Sequence, residues 1–376
     1  MPVTLHPIRA AFIGFGFFAG AWAVAAVDIE REFDLTDAQL GFLLAAGVVF
    51  GTLFAAFGGA LTDRFGAGHV LARALAIWGA LIAVQAFAPT LGVFAPAFTL
   101  GLAAGGLVDV VMNVIGADAL ATEPARLVRL HGLYNGGAVL GASACGLALH
   151  FDVSWRVIWV AVAMFAVGLA VWTDRSQVPE PAKADHPSML RAVAGLRHEG
   201  LLVVALVFAG AAMVEGGIAT WGVLYLREHV GLGVLAGVAA YVVGQSLATL
   251  TRISGTPVIE RLGTRRTIAG GAALAAAGLF AVALSDVAGL AATGLAAASV
   301  GITVVWPLLI ADVSNQARHP ALAIGGVTAA GYVGLMAGPF IIGIMSSAVS
   351  LQAGLILLAA VALAVAITPA RIRETV

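Results

Sequence analysis

The sequence predicts an all-α membrane protein: twelve transmembrane helices in two six-helix bundles, related by a pseudo-twofold axis along the membrane normal. Three observations carry this reading. The 376 residues are 61% hydrophobic and 10% charged, against about 25% charged in an ordinary soluble domain. Apolar stretches near the 20-residue length that crosses a bilayer recur from end to end, separated by short polar punctuation. The two halves also repeat. A shift of 197 residues lays Gly47 on Gly244, Asp63 on Glu260, Arg64 on Arg261, Gly66 on Gly263, Gly137 on Gly334 and Gly141 on Gly338. Parallel repeats of six helices place a binding site between the halves near the midplane.

In the first half the spans are 8–27, 38–61, 71–88, 92–121, 127–150 and 155–173; in the second they are 200–226, 234–259, 267–285, 288–311, 321–345 and 349–368. A membrane barrel strand alternates apolar and polar residues over about ten positions, whereas residues 91–108 stay apolar on every face for many turns. Helices are the form that satisfies such a backbone in lipid. The first span has a small-residue Ala23-Val24-Ala25 sequence that resembles a signal-peptide cleavage site, but its apolar run exceeds a secretory core, so it reads as an uncleaved first helix. Ahead of the second span, Leu35-Thr36-Asp37 reads as a helix N-cap. The acidic run Asp28, Glu30, Glu32, Asp34 and Asp37 also offers a way to concentrate cations at an outer mouth.

Lys and Arg fix the expected orientation. With the N-terminus inside, fifteen of the nineteen basic residues fall in inner loops and tails: Arg9, Arg64, Arg73, Arg126, Arg129, Arg175, Lys183, Arg191, Arg197, Arg261, Arg265, Arg266, Arg318, Arg371 and Arg373. Arg31, Arg156 and Arg227 fall outside, and Arg252 lies within a helix. Both termini are therefore expected in the cytoplasm, with the chain multi-pass in the cell's inner membrane. The long connection 174–199 holds Pro179, Pro181 and Pro187 and reads as a cytoplasmic linker between bundles 1–173 and 200–376. A net charge of -1 gives nucleic acid nothing to bind, and the single Cys145 excludes an intrachain disulfide and a cysteine metal cluster. No metal or cofactor is expected, and the chain is expected to be a monomer.

After the second span comes Gly59-Ala-Leu-Thr-Asp63-Arg64-Phe-Gly66, and after the eighth a weaker copy, Glu260-Arg261-Leu-Gly263-Thr-Arg265-Arg266. A carboxylate at an inner helix end suits the positive N-terminus of a neighbouring helix, a glycine permits a sharp turn, and the arginines can pair with facing acids. The same charges would also serve simply to fix topology. The first segment resembles the cytoplasmic loop signature of the major facilitator superfamily, and the resemblance covers the whole chain. It departs where Ala67, Gly68 and His69 stand in place of further arginine. The resemblance implies a gating role for Gly59, Asp63, Arg64, Gly66, Glu260, Arg261 and Gly263.

Within that superfamily, Asp109-Val-Val-Met-Asn113 and His131-Gly-Leu-Tyr-Asn135-Gly-Gly look like a bacterial subgroup loosely related to the fucose permease. The drug-antiporter signature of helix five lacks its proline here, and Gly338-Pro339 lies in helix eleven instead.

Buried ionisable residues are the site candidates, because a charge at the bilayer centre costs several kcal/mol unless it faces a cavity or a partner. Asp109 lies near the midplane with Asn113 on the same face. It would bind the coupling proton or a substrate hydroxyl, or else hold helices together as a paired acid. Glu215 in helix seven, followed by two glycines, has the same logic. Arg252 can snorkel to the cytoplasm, pair with Asp109, or anchor an anionic substrate, the last favouring a carboxylate or sugar acid. His131, one turn before Asn135, is a proton relay or a packing residue; Asp118 extends the path from Asp109 or is simply hydrated. Among Trp22, Trp221, Trp306, Tyr134, Tyr241 and Tyr332, Trp306 stands out for ring stacking because it occupies the repeat position of Asp109. Gln245 can add a hydrogen bond.

The expected function is secondary active transport by alternating access: proton-coupled uptake of a small polar solute such as a sugar, sugar acid or other metabolite. The alternatives are proton-coupled efflux of amphipathic compounds, and a membrane sensor that binds without transporting. An enzyme is not expected, since the sequence has no nucleotide-binding loop, nucleophile elbow or zinc-binding helix motif.

Overall fold

A computed structural model of the chain describes residues 4–120, 123–181, 195–197, 200–317 and 320–368. Pro187, Glu199, Lys183, Arg191, Arg318, Arg371 and Arg373, on which part of the linker and orientation reading rests, lie outside the described residues. Fourteen helices are described, with no strand among the described residues: α1 His6–Glu32, α2 Asp37–Phe65, α3 Ala67–Phe87, α4 Leu91–Ala119, α5 Pro124–His150, α6 Trp155–Arg175, α7 Leu202–Glu228, α8 Val234–Ser254, α9 Thr256–Leu262, α10 Thr264–Leu284, α11 Ala288–Thr303, α12 Val305–Gln316, α13 Pro320–Ala348 and α14 Leu351–Ile367. Nine spans among the described residues are long and apolar enough to cross a membrane, with α11 and α12 running together as one of them.

The helices match the expected spans, with three informative differences. The first span continues to Glu32 because nothing breaks it before Phe33, and Glu32 gains partners there: Trp155 Nε1 donates at 2.7 Å and Arg156 at 2.6 Å. Arg156 also donates to the carbonyls of Ala86 and Ala88 at 2.7 and 2.8 Å, capping the end of α3. The eighth span is split at Gly255, where Pro257 supplies no N–H for the carbonyl four residues earlier. The tenth is split at Val304, ahead of Pro307, for the same reason. The expected N-cap of α2 forms as a reciprocal capping box: Gln39 N–H donates to Thr36 Oγ1 at 3.3 Å, and Thr36 N–H donates to Gln39 Oε1 at 2.8 Å.

Contacts divide the chain into two compact units, 1–34 with 43–186, and 35–42 with 187–376. The expected division assigned 35–42 to the first bundle. In the second unit, Ser346 donates to the Asp37 carboxylate, Ala38 N–H donates to Ser347 Oγ at 3.1 Å, and Gly41 packs on Gly343.

The first unit has an aromatic core. Trp78, Trp155, Trp159, Phe12, Phe94 and Phe98 are fully buried, and Trp22 stacks on Phe98 at 4.5 Å. Inside it Gln85 is buried and satisfied, accepting from Trp159 Nε1 at 3.1 Å and donating to the Ala97 carbonyl at 3.1 Å. The second unit is filled mainly by aliphatic and alanine side chains, among them Leu279, Leu358, Ala272 and Ala359. Many large apolar residues stay exposed, including Phe57, Phe87, Met164 and Leu206, as expected where hydrocarbon rather than water is the solvent.

The repeat seen in the sequence is repeated in the packing. A Cβ on Gly137 or Gly141 of α5 would collide with the carbonyl oxygens of Ile13 and Phe17 on α1. A Cβ on Gly334 or Gly338 of α13 would collide with those of Ala209 and Met213 on α7. In each unit two helices therefore touch backbone to backbone through glycines four residues apart. Gly136, one residue from this seam, has nothing within 4 Å of where a Cβ would lie. Gly141→Ala is expected to destabilise the protein by about 1–3 kcal/mol through overpacking, whereas Gly136→Ala should be neutral or stabilise by up to about 1 kcal/mol. Thermal unfolding in detergent distinguishes the two, and equal shifts would refute the close α1–α5 seam.

Candidate functional site

In the second unit the site is built on α7, α8 and the break between α11 and α12. Glu215 is the central residue of α7, and Arg252 Nη2 donates to its Oε1 at 3.0 Å. The sequence had offered Asp109 as the acid for this guanidinium; the carboxylate it meets is Glu215, in its own unit. The other arm of Arg252 is engaged as well: Nε donates to the Thr303 carbonyl at 3.2 Å. That carbonyl is the one which Pro307, four residues on, leaves without an intrahelical donor. A guanidinium offers several donors in a fixed plane, so one side chain can hold both groups. Arg252 thus bridges α8 to α7 and to the α11–α12 break. The pair keeps 32% and 37% of its side-chain surfaces exposed, for Arg252 and Glu215 respectively, which leaves both groups reachable.

Tyr241 is buried on α8. Trp306 sits just past the break and packs on Phe208 of α7 with ring centres 4.2 Å apart, half-buried rather than presented in the open. Trp221 is fully buried and donates to the Pro339 carbonyl at 3.2 Å. Gln245 is half-buried on α8, and its carbonyl accepts from Thr249.

In the first unit Asp109 and Asn113 are half-buried on α4 and meet as the four-residue spacing requires. Asn113 Nδ2 donates to Asp109 Oδ1 at 3.0 Å and to the Asp109 carbonyl at 2.8 Å. His131 is exposed two turns into α5, with its ring edge-on to Phe12 at 5.4 Å. Asn135, one turn on, is half-buried, and Asp118 is exposed near the end of α4. The indole N–H of Trp22 is buried and has no acceptor among the described residues.

The two loop motifs share a backbone shape. Gly66 and Gly263 have φ of +82° and +78°, each immediately before a helix, α3 and α10. This is the left-handed region that glycine enters without penalty. Gly59 lies within α2; Asp63, Arg64, Glu260 and Arg261 are exposed, and the Arg64 guanidinium lies over the Phe65 ring at 5.1 Å. The carboxylate that meets the N-terminus of α3 is Glu180 from the linker rather than Asp63. It accepts from Ala67 N–H at 2.8 Å and from Gly68 N–H at 3.5 Å.

Sequence reasoning missed Glu180, Thr303 and Gln85. Glu180 passed as one charge among several in a solvated linker. Thr303 acts through its carbonyl, and the signal for it was Pro307 inside an apolar run. Gln85 was signalled by a lone amide in the middle of a span.

Twelve apolar spans, two repeated six-helix halves and paired glycine-bearing loop motifs agree with a family model described as Major Facilitator Superfamily, which matches residues 9–325. The chain belongs to the major facilitator superfamily. It is 27% identical to an uncharacterised MFS-type transporter of Yersinia pestis over 355 residues, spanning 92% of this chain and 89% of that protein. It is 28% identical to the 3-(3-hydroxy-phenyl)propionate transporter of Escherichia coli K12 over 349 residues, spanning 86% and 82%. Among solved structures, the nucleoside transporter NupG (D323A mutant) superposes with a TM-score of 0.79 at 13% identity, over 98% of each chain. The chain is thus a multi-pass membrane protein of a transporter class, and not an enzyme.

The Glu180 contact gives a local prediction. Replacing Glu180 by alanine removes the acceptor at the start of α3, a loss of about 1 kcal/mol for a helix cap. Amide hydrogen exchange at Ala67 and Gly68 should then quicken about fivefold, and unchanged protection at both amides would show that the carboxylate does not hold them.

Proposed function

We propose that the protein is a proton-coupled symporter of the inner membrane, with both termini in the cytoplasm, that takes up a small polar solute carrying a carboxylate. The observation that supports this reading is the half-exposed Glu215–Arg252 pair at the centre of α7. Facing hydrocarbon, such a pair would be costly, so its exposed side is read as facing a water-filled cavity. The similarity to a 3-(3-hydroxy-phenyl)propionate transporter is consistent with an arginine-centred site.

The coupling follows from competition for one guanidinium. With Glu215 ionised, Arg252 is held by it. When a proton binds the Glu215 carboxylate, the ion pair is lost and the Arg252 donors become available to the carboxylate of the solute. When the proton leaves, Glu215 reclaims Arg252 and displaces the solute. Proton and anion therefore load and leave together, which is symport. Asp109 with Asn113, and Asn135 and His131, are assigned to solute contact or a second proton position in the first bundle. Trp306 is assigned as a wall of the site through its packing on Phe208. Asp63, Arg64, Glu260 and Arg261, hinged at Gly66 and Gly263, are assigned to gating as the bundles rock.

The test begins with thermal shift of the purified protein against carboxylates, their amides, sugars and sugar acids. A ligand at 100 times its Kd stabilises by about 2.7 kcal/mol. A carboxylate should stabilise and its amide should not, and Arg252→Gln should abolish the shift. In proteoliposomes with an acid-outside gradient, Glu215→Gln should lower accumulation at least tenfold while preserving solute exchange. Stabilisation by amphipathic cations alone would replace this reading with efflux, and wild-type proton coupling in Glu215→Gln would remove Glu215 from the proton path.

A further inference from the structure

A cavity of about 320 Å³ opens in the first unit, at the end that the basic residues mark as cytoplasmic, between the start of α1, the end of α4 and the start of α5. Its lining is of two kinds. Leu5, Leu120, Leu130 and Leu133 give it an apolar floor, and Arg9, Arg126 and Arg129 supply three guanidinium groups. The spacing explains the convergence. Leu5, the N-cap residue of α1, lies one turn before Arg9, while Arg126, Arg129, Leu130 and Leu133 follow the three- and four-residue steps that line one face of α5.

Glu123 is close, and it is committed: it takes the Arg126 Nη1 donor through both oxygens, at 2.6 and 2.9 Å. Arg9 and Arg129 have no carboxylate partner among the described residues. Two guanidiniums with no carboxylate partner among the described residues, above a leucine floor, match a ligand with an anionic head and a hydrocarbon body. A guanidinium binds a phosphate through paired N–H donors, and an anionic leaflet attracts basic side chains at its surface with about 1 kcal/mol each.

We propose that this cavity binds the phosphate of an anionic phospholipid, with Arg9 and Arg129 holding the phosphate and the leucines taking the first part of an acyl chain. The site is separate from the Glu215–Arg252 centre and stands whether or not the transport reading does. Glu123 sets its strength by withholding Arg126.

The experiment is native mass spectrometry of the full-length protein in detergent, titrated with phosphatidylglycerol, phosphatidylcholine, glycerol 3-phosphate and inorganic phosphate. Phosphatidylglycerol should bind at least tenfold tighter than phosphatidylcholine. The double variant Arg9→Gln with Arg129→Gln should weaken phosphatidylglycerol about thirtyfold and phosphatidylcholine by much less, closing the gap between the two lipids. Glu123→Gln, which frees Arg126 and removes no packing, should tighten phosphatidylglycerol severalfold. Identical affinity in the wild type and Glu123→Gln overturns the site even if the double variant does not fold. Displacement of the lipid by millimolar glycerol 3-phosphate or phosphate would overturn the lipid assignment in favour of a soluble phosphate ester.

Discussion

Two helices in hydrocarbon gain nothing by hiding leucine from lipid, since the tails around them are equally apolar. What holds them is the closeness of approach. In each unit of this protein that approach is made by a pair of glycines four residues apart, Gly137 and Gly141 on α5 and Gly334 and Gly338 on α13, each against the bare carbonyls of a neighbouring helix. Everything around the seams follows from it. Once α5 lies against α1, the aromatic side chains of α1 turn to α3, α4 and α6, where Trp22, Trp78, Phe98 and Trp159 interlock. Once α13 lies against α7, Phe208 is held beside Gly331 and receives Trp306.

The same constraint governs polar groups. Each buried amide or carbonyl needs a partner supplied by the protein, and here the partners come from segments distant in sequence. Gln85 joins α3 to α4 and α6 in one amide, Arg156 closes the end of α3, and Glu180 closes its beginning. The helix α3 is thus finished at both ends by residues that follow it by about seventy and a hundred and ten positions.

Composition, span length and the 197-residue repeat made the helical membrane fold legible, because these signals are sums over many residues. The capping box at Thr36 and the glycine turns at Gly66 and Gly263 were legible because each is set by local backbone chemistry. The partner of Arg252 was not. Pairing depends on which faces of α7 and α8 meet, and a single apolar sequence with weak amphipathicity does not encode that choice in a readable way. Helix breaks at Gly255 and Val304 were marked by Pro257 and Pro307, but proline inside a span need not interrupt it: Pro96 and Pro339 lie within unbroken helices.

The break ahead of Pro307 has a mechanical meaning. An ordinary helix owes its stiffness to a ladder of main-chain bonds that nothing in solution can reach. At Thr303 one rung of that ladder is supplied by a side chain, and the side chain is also held by an acid. The joint between α11 and α12 is therefore as rigid as Arg252 is stationary. Whatever draws the guanidinium away takes that rung with it, so the flexibility of the tenth span is set by the position of one side chain.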